Sequence, residues 1–118
     1  LCGEDFTIYS GNDDQIVPIL SLGGSGVISV LANVLPKETH DIVEKYLAGD
    51  VVESRKLQLG VNELVSSLFI EVNPIPVKAA MNLMGMEAGE LRLPLTNISE
   101  QNLEILRNNM MKYGIKVD

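Results

Sequence analysis

Two short apolar segments, joined by one short helical segment, constrain the fold of this chain most strongly. Residues 6–10 (Phe-Thr-Ile-Tyr-Ser) are mostly β-branched or aromatic, and residues 27–31 (Val-Ile-Ser-Val-Leu) are apolar almost throughout. Between them, residues 16–22 have helical spacing, with an interruption or restart expected at Pro18. A short helical crossover between two strands predicts that the strands are parallel neighbours in an α/β fold.

A sheet of only two parallel strands would be incomplete. Such a pair cannot bury both of its faces or satisfy both of its edges. The chain also begins Leu1-Cys2-Gly3, without Met. We therefore expect it to be the C-terminal part of a longer protein whose other strands lie upstream.

The rest of the chain is predicted to be helical. Pro36 opens a helix that Gly49 ends, and Asp50 is placed to cap a long amphipathic helix over residues 51–69. A short helix follows over residues 77–84. A final helix is expected between Ser99, as its N-cap, and Gly114, just beyond its C-terminus.

The charge balance disfavours two classes of partner. The 118 residues include 9 Lys and Arg against 16 Asp and Glu, which gives a net charge of −7. Nucleic acids and anionic membrane surfaces both favour a basic face, so we expect neither as a partner. No apolar run approaches the roughly 20 residues of a membrane span. The single cysteine, Cys2, cannot form an internal disulfide, and we expect a cytoplasmic location.

Candidate ligand-binding residues follow the two predicted strands, because ligands of α/β folds gather at the carboxyl ends of strands. Gly11 would let a ligand approach the backbone closely, and Asn12 or Asp13 could accept hydrogen bonds from it. The residues alone favour another interpretation, in which Asn12 and Asp13 only cap the helix that follows.

Three other features are interpreted as structural. The run Gly23-Gly24-Ser25-Gly26 ends a helix and enters a strand, the reverse of a phosphate-binding loop, and so predicts a tight turn. Lys78 follows two prolines at a helix start, where its ammonium can reach solvent or a carboxylate, so it is not expected to be a nucleophile. His40 has no Cys or Asp at ligand spacing, and no metal site is expected.

Several stretches together resemble the 4-hydroxy-tetrahydrodipicolinate synthase family, formerly called dihydrodipicolinate synthase. They are Phe6 to Asp13, Leu22 to Val30 with Ala32-Asn33, Phe69 to Lys78 and Leu91 to Leu95. The most specific parts are the Gly-Gly-Ser-Gly-Val-Ile-Ser-Val strand and the segment Asn-Pro-Ile-Pro-Val-Lys. The resemblance covers essentially the whole chain.

The resemblance implies a (β/α)8 barrel followed by a small helical region. Residues 1–49 would hold strands 7 and 8 with their helices, and residues 50–118 the C-terminal helical region. The implied reaction condenses pyruvate with L-aspartate 4-semialdehyde on the diaminopimelate route to lysine. A Schiff-base lysine and the proton relay would lie upstream, so no catalytic residue is expected in this chain. No metal or organic cofactor is implied, and relatives are usually homotetramers.

The site residues that carry over from the family are few. Ile28 matches the strand-8 position whose backbone carbonyl lines the pyruvate pocket near the imine. Gly11, Asn12 and Asp13 match the loop at the rim of that pocket. Many relatives have Asp where this chain has Asn12, which puts in doubt any role that rests on that charge.

Two alternatives to this function remain open at the level of sequence. The chain could be an inactive module whose helices serve assembly or partner binding. The parent protein could also be another pyruvate-dependent Schiff-base aldolase with a different aldehyde partner. Only a sample that contains the upstream lysine can form an imine with pyruvate, which separates the first alternative from an enzyme.

Overall fold

The computed structural model describes Gly3 and residues 5–118. The expectations that concern Leu1 and Cys2 lie outside these residues. Internal contacts divide the chain into two compact units, residues 1–60 and 61–118, with the boundary at Gly60. The division expected between residues 49 and 50 is of another kind, because it separates the barrel units from the C-terminal helical region. It stays a prediction.

The first unit contains two parallel strands and the helices that follow them. Strand β1 is Tyr9–Ser10, helix α1 is Ile16–Ser21, strand β2 is Gly26–Val27 and helix α2 is Pro36–Leu47. Tyr9 pairs with Gly26 and Ser10 with Val27. The predicted parallel pair with a helical crossover is therefore confirmed. Short 3-10 turns at Asp13–Gln15 and Leu31–Asn33 follow the strands.

Both strands are shorter than the sequence predicts. The first was expected over residues 6–10, but only its last two residues are in the ladder. The second was expected over residues 27–31, yet it ends at Val27. Its later backbone amides, those of Val30 and Leu31, bond to a side chain instead of a neighbouring strand. The apolar composition of these two segments predicts extended backbone, but pairing along their full length also needs a neighbouring strand.

The turn between α1 and β2 is confirmed as a tight αβ turn. Gly23 has a φ of +94°, and the Gly24 amide donates to the Ile19 carbonyl at 2.9 Å. A Cβ on Gly24 would lie 2.8 Å from that carbonyl oxygen, so only glycine fits. Helix α1 itself is continuous through Pro18, which occupies its first turn, where the missing N–H has no intrahelical acceptor.

Helix α3, Val51–Leu68, begins in the first unit and continues into the second. Asp50 caps it as predicted, its carboxylate accepting from the Glu53 amide at 3.2 Å. The second unit adds α4, Ile75–Leu83, and α5, Glu100–Tyr113. Helix α4 starts two residues earlier than predicted, because Pro76 fits within a first helical turn.

Each unit has its own set of buried apolar side chains. In residues 1–60 they come mainly from α1, the second 3-10 turn and α2. In residues 61–118 they come from α3, α4 and α5. The buried residues are Ile16, Leu20, Leu31, Val34, Leu35 and Ile42 in the first unit, and Val61, Leu64, Val65, Leu68, Ile75, Val77, Ala80, Leu106 and Met110 in the second. No helix within the described part of the chain is long and apolar enough to cross a membrane.

Candidate functional site at the carboxyl ends of the strands

The carboxyl ends of β1 and β2 lie side by side. The Ile28 amide donates to the Ser10 carbonyl at 2.9 Å, which extends the pairing one residue beyond β2. The loop after β1 and the loop after β2 therefore start from neighbouring points. This is the edge where ligands bind in parallel α/β sheets, and it brings together all four residues that the resemblance selected.

Gly11 and Asn12 form an exposed turn at this edge. The Ser10 hydroxyl donates to the Asn12 carbonyl at 2.7 Å and accepts from the Asn12 amide at 3.2 Å. Among the described residues other than its two chain neighbours, no heavy atom lies within 4 Å of the position that a Cβ on Gly11 would take, so its backbone is open to approach. Asn12 stands in the N-cap position of the first 3-10 turn, but its side chain makes no capping hydrogen bond. The capping interpretation is therefore wrong for Asn12.

Asp13 differs from its two neighbours because it is buried, with 1% of its surface exposed. One carboxylate oxygen accepts from the Ser29 hydroxyl, and the other accepts from the amides of Val30 and Leu31, each at 3.0 Å. Asp13 thus caps the second 3-10 turn, across the strands, rather than the helix that follows it. A buried carboxylate is tolerated when donors surround it in this way.

Ser29 and Gln58 complete this cluster of hydrogen bonds. The Ser29 oxygen also accepts from the Ala32 amide at 2.9 Å. Gln58, on α3, donates to the Asp13 carbonyl at 2.9 Å and accepts from the Val17 amide at 3.2 Å. Both the backbone and the side chain of Asp13 are therefore held by hydrogen bonds. We call Asp13, Ser29 and Gln58 the strand-end cluster.

Sequence reasoning missed Ser29 and Gln58. A weak signal for Gln58 existed, because positions 54, 58, 61, 65 and 68 lie at helical spacing on one stripe of α3. The last three of these are buried apolar residues, and Ser54 and Gln58 are buried polar ones. A polar residue on such a stripe needs a partner inside the protein. Ser29 carried no such signal.

Ile28 follows β2 and has 72% of its surface exposed. Its own amide is bonded to Ser10, and the next residue, Ser29, is bonded to Asp13. The Ile28–Ser29 peptide, which carries the Ile28 carbonyl, therefore lies between two anchored points. This arrangement presents a backbone carbonyl at the strand ends in a restricted orientation.

The interpretation of Lys78 and His40 as structural residues stays a prediction. Lys78 lines a cavity of about 600 Å³ within the second unit, where its ammonium donates to the Glu90 carbonyl at 2.6 Å. His40 is exposed on α2. Within Gly3 and residues 5–118, no group of three or more His, Cys, Asp or Glu side chains is placed to hold a metal ion.

Comparison with known proteins identifies relatives over nearly the whole chain. The 4-hydroxy-tetrahydrodipicolinate synthase of Clostridium perfringens is 64% identical over 115 residues, which are 98% of this chain and 40% of that protein. The corresponding enzyme of Acetivibrio thermocellus is 61% identical over 115 residues, 98% of this chain and 39% of the relative. The chain thus spans about two fifths of the length of these relatives.

Solved structures show the same similarity in three dimensions. The dihydrodipicolinate synthase of Aquifex aeolicus superposes with a TM-score of 0.93 at 41% identity, covering 98% of this chain and 40% of that one. The fold is therefore part of the dihydrodipicolinate synthase barrel fold. The model of the dihydrodipicolinate synthetase family matches residues 1–112. The chain belongs to the dihydrodipicolinate synthetase family.

Proposed function

We propose that the full-length protein containing this chain is a Schiff-base lyase, a 4-hydroxy-tetrahydrodipicolinate synthase. It would condense pyruvate with L-aspartate 4-semialdehyde in an aldol-type reaction of lysine biosynthesis. The observation that carries this proposal is the 64% identity to a relative of that name, which extends over 98% of the chain. Similarity at this level over every element supports a shared activity and not only a shared fold.

The part of the barrel that this chain would supply is strands 7 and 8. In this proposal β1 and β2 are those strands, and residues 1–49 form the last two β/α units. Residues 50–118 form the C-terminal helical region. The parallel pairing of β1 with β2, with α1 between them, supports this assignment.

The pyruvate pocket would be lined here by backbone and not by catalytic side chains. We place the Ile28 carbonyl against pyruvate, near the imine, with Gly11, Asn12 and Asp13 at the rim. The strand-end position of all four supports this placement. A carbonyl oxygen carries partial negative charge, so beside a protonated imine it would stabilise the positive nitrogen.

The reacting lysine and the proton relay would lie upstream of this chain, which by itself would be inactive. The whole protein would act in the cytoplasm as a homotetramer, without metal or organic cofactor. A further dihydrodipicolinate synthase, from Acinetobacter baumannii, is described as complexed with pyruvate and superposes with a TM-score of 0.87 at 40% identity. The superposition covers 93% of this chain and 38% of the Acinetobacter baumannii chain. This relative supports pyruvate as the first substrate.

The test is mass spectrometry of the full-length protein after treatment with pyruvate and borohydride. We expect one reduced pyruvate adduct, on a lysine outside residues 1–118, and none when lactate replaces pyruvate. Consumption of L-aspartate 4-semialdehyde, but not of other aldehydes, should then follow.

Each other outcome contradicts part of the proposal. Absence of an adduct would leave an inactive assembly module. An adduct with preference for a different aldehyde would indicate another aldolase of the superfamily. An adduct on one of the six lysines of this chain would overturn the assignment of the site.

A further inference from the structure

The strand-end cluster points to a role for Asp13 that differs from direct contact with substrate. Its carboxylate is buried and already accepts three hydrogen bonds, so it presents little surface to a ligand. All three donors belong to the short segment 29–31, directly after Ile28. A side chain from the loop after β1 therefore controls the backbone of the loop after β2.

The orientation of the Ile28 carbonyl depends on this control. A peptide unit is planar, so the carbonyl direction is set by the ψ angle of Ile28 and the φ angle of Ser29. The Ile28 amide is fixed on one side by its bond to Ser10. On the other side, Ser29 and Val30 are fixed by the Asp13 carboxylate. With both flanks held, the peptide between them has little freedom to rotate.

Asp13 is itself held in place from α3. The Gln58 side chain donates to the Asp13 carbonyl and accepts from the Val17 amide, so the first 3-10 turn cannot shift without breaking these bonds. The Asp13 carboxylate is therefore attached to a backbone segment that is itself held in place. An anchored acceptor positions its donors more precisely than a mobile one.

We propose that Asp13 is a positioning residue, which orients the Ile28–Ser29 peptide so that the Ile28 carbonyl faces the pyruvate pocket. This inference rests on the proposed function. It assigns Asp13 to the support of the pocket and leaves Gly11 and Asn12 as the rim that meets solvent. Loss of the carboxylate would free the peptide and weaken the binding of pyruvate.

The test compares Asp13→Ala, Asp13→Asn and Ser54→Ala in the full-length protein. The wild-type protein is first shown to form the borohydride-reduced pyruvate adduct, because its absence would refute the proposed function and not only the role of Asp13. We expect Asp13→Ala to raise the KM for pyruvate about tenfold, as misplacement of a binding group does. The amide oxygen of Asp13→Asn can still accept from Val30 and Leu31, so its KM should stay within about threefold of wild type.

Ser54→Ala is the matched control. The Ser54 hydroxyl is fully buried in α3 and donates to the Ile42 carbonyl at 2.6 Å. Its loss should lower stability without changing the KM for pyruvate. If Ser54→Ala raised the KM as much as Asp13→Ala, or if folded Asp13→Ala kept a wild-type KM, the positioning role would be wrong.

If Asp13→Ala does not fold, Ser29→Ala decides the question. This change removes one of the three donors to the Asp13 carboxylate, together with the acceptor of the Ala32 amide, and keeps the two amide bonds to Asp13. The KM for pyruvate should therefore rise about threefold, as the loss of one donor to the carboxylate predicts. A KM unchanged from wild type in Ser29→Ala would then overturn the proposal.

Discussion

Two carboxylates in this chain, one in each unit, make the same number of hydrogen bonds in different surroundings. Asp13 lies among residues 1–60 and Glu71 among residues 61–118. Each accepts three hydrogen bonds from a segment distant in sequence. Asp13 is 1% exposed, whereas Glu71 is only half-buried.

The Glu71 cluster holds the start of a helix. One oxygen of Glu71 accepts from the Ser99 amide and hydroxyl, each at 3.0 Å, and from the Asn102 side chain at 2.7 Å. Ser99 in turn caps α5 through its own hydroxyl, which accepts from the Asn102 amide. These donors lie near solvent, so water can replace Glu71.

The difference indicates that burial, and not the number of hydrogen bonds, decides how much a carboxylate contributes to the stability of the fold. When a buried acceptor is removed, its donors lose their partners and gain none. When a half-exposed acceptor is removed, water takes its place. The strand-end cluster should therefore tolerate change far less than the Glu71 cluster.

The largest effect is expected for Asp13→Ala. It leaves the amides of Val30 and Leu31 without an acceptor, which should reduce the free energy of unfolding by about 3 kcal/mol. Urea denaturation of the full-length protein, followed by circular dichroism, measures this loss. Asp14→Ala, at the exposed neighbouring carboxylate, is the control and should lie close to wild type. A loss below about 1 kcal/mol for Asp13→Ala would remove the contrast between the two clusters.

A smaller effect is expected for Ser99→Ala. Loss of an N-cap hydroxyl typically costs about 1 kcal/mol, and here the bond from the Ser99 hydroxyl to Glu71 is lost as well. Ser66→Ala, at an exposed serine inside α3, is the matched control and should not destabilise, since alanine favours the helix. Equal losses in both variants would show that Ser99 is not an effective cap.

A still smaller effect on stability, and one that depends on pH, is expected for Glu71→Gln. Hydrogen bonds from the Asn102 side chain, and then from Ser99, hold the pKa of Glu71 below its ordinary value of 4.5. The ionised form is thus favoured by folding, and its contribution is present above pH 4.5 and is lost as the pH falls through the lowered pKa. The stability difference between wild type and Glu71→Gln should shrink from pH 6 toward pH 3 on this account. A difference that grew in acid would contradict the lowered pKa.

The smallest effect is expected at the surface of α2. Lys37 and Asp41 form an i,i+4 ion pair, and the hydrogen bond from Lys37 lowers the pKa of Asp41. Lys37 is exposed and Asp41 is partly exposed, so the pair is screened by solvent and salt, and Asp41→Asn should leave the denaturation midpoint unchanged at physiological salt. A clear shift of the denaturation midpoint would contradict our inference that exposure decides how much each carboxylate contributes to stability.

The sequence by itself determined the features that depend on neighbours along the chain. Ser99 and Gly114 bound α5 as predicted, with Gly114 at a φ of +100°, because capping and left-handed turns involve residues a few positions apart. The glycines before β2 predicted a tight turn for the same reason. The resemblance to the family also came from local residue identities.

Only the tertiary structure decided the lengths of the strands and the partners of Asp13. Its donors lie 16 to 18 residues further along the chain, and Gln58 lies 45 residues away. From the sequence, Asp13 was indistinguishable from an ordinary helix cap beside Asn12. Spacing along a chain does not report which groups become buried together, and burial is what turns a polar residue into a fixed support.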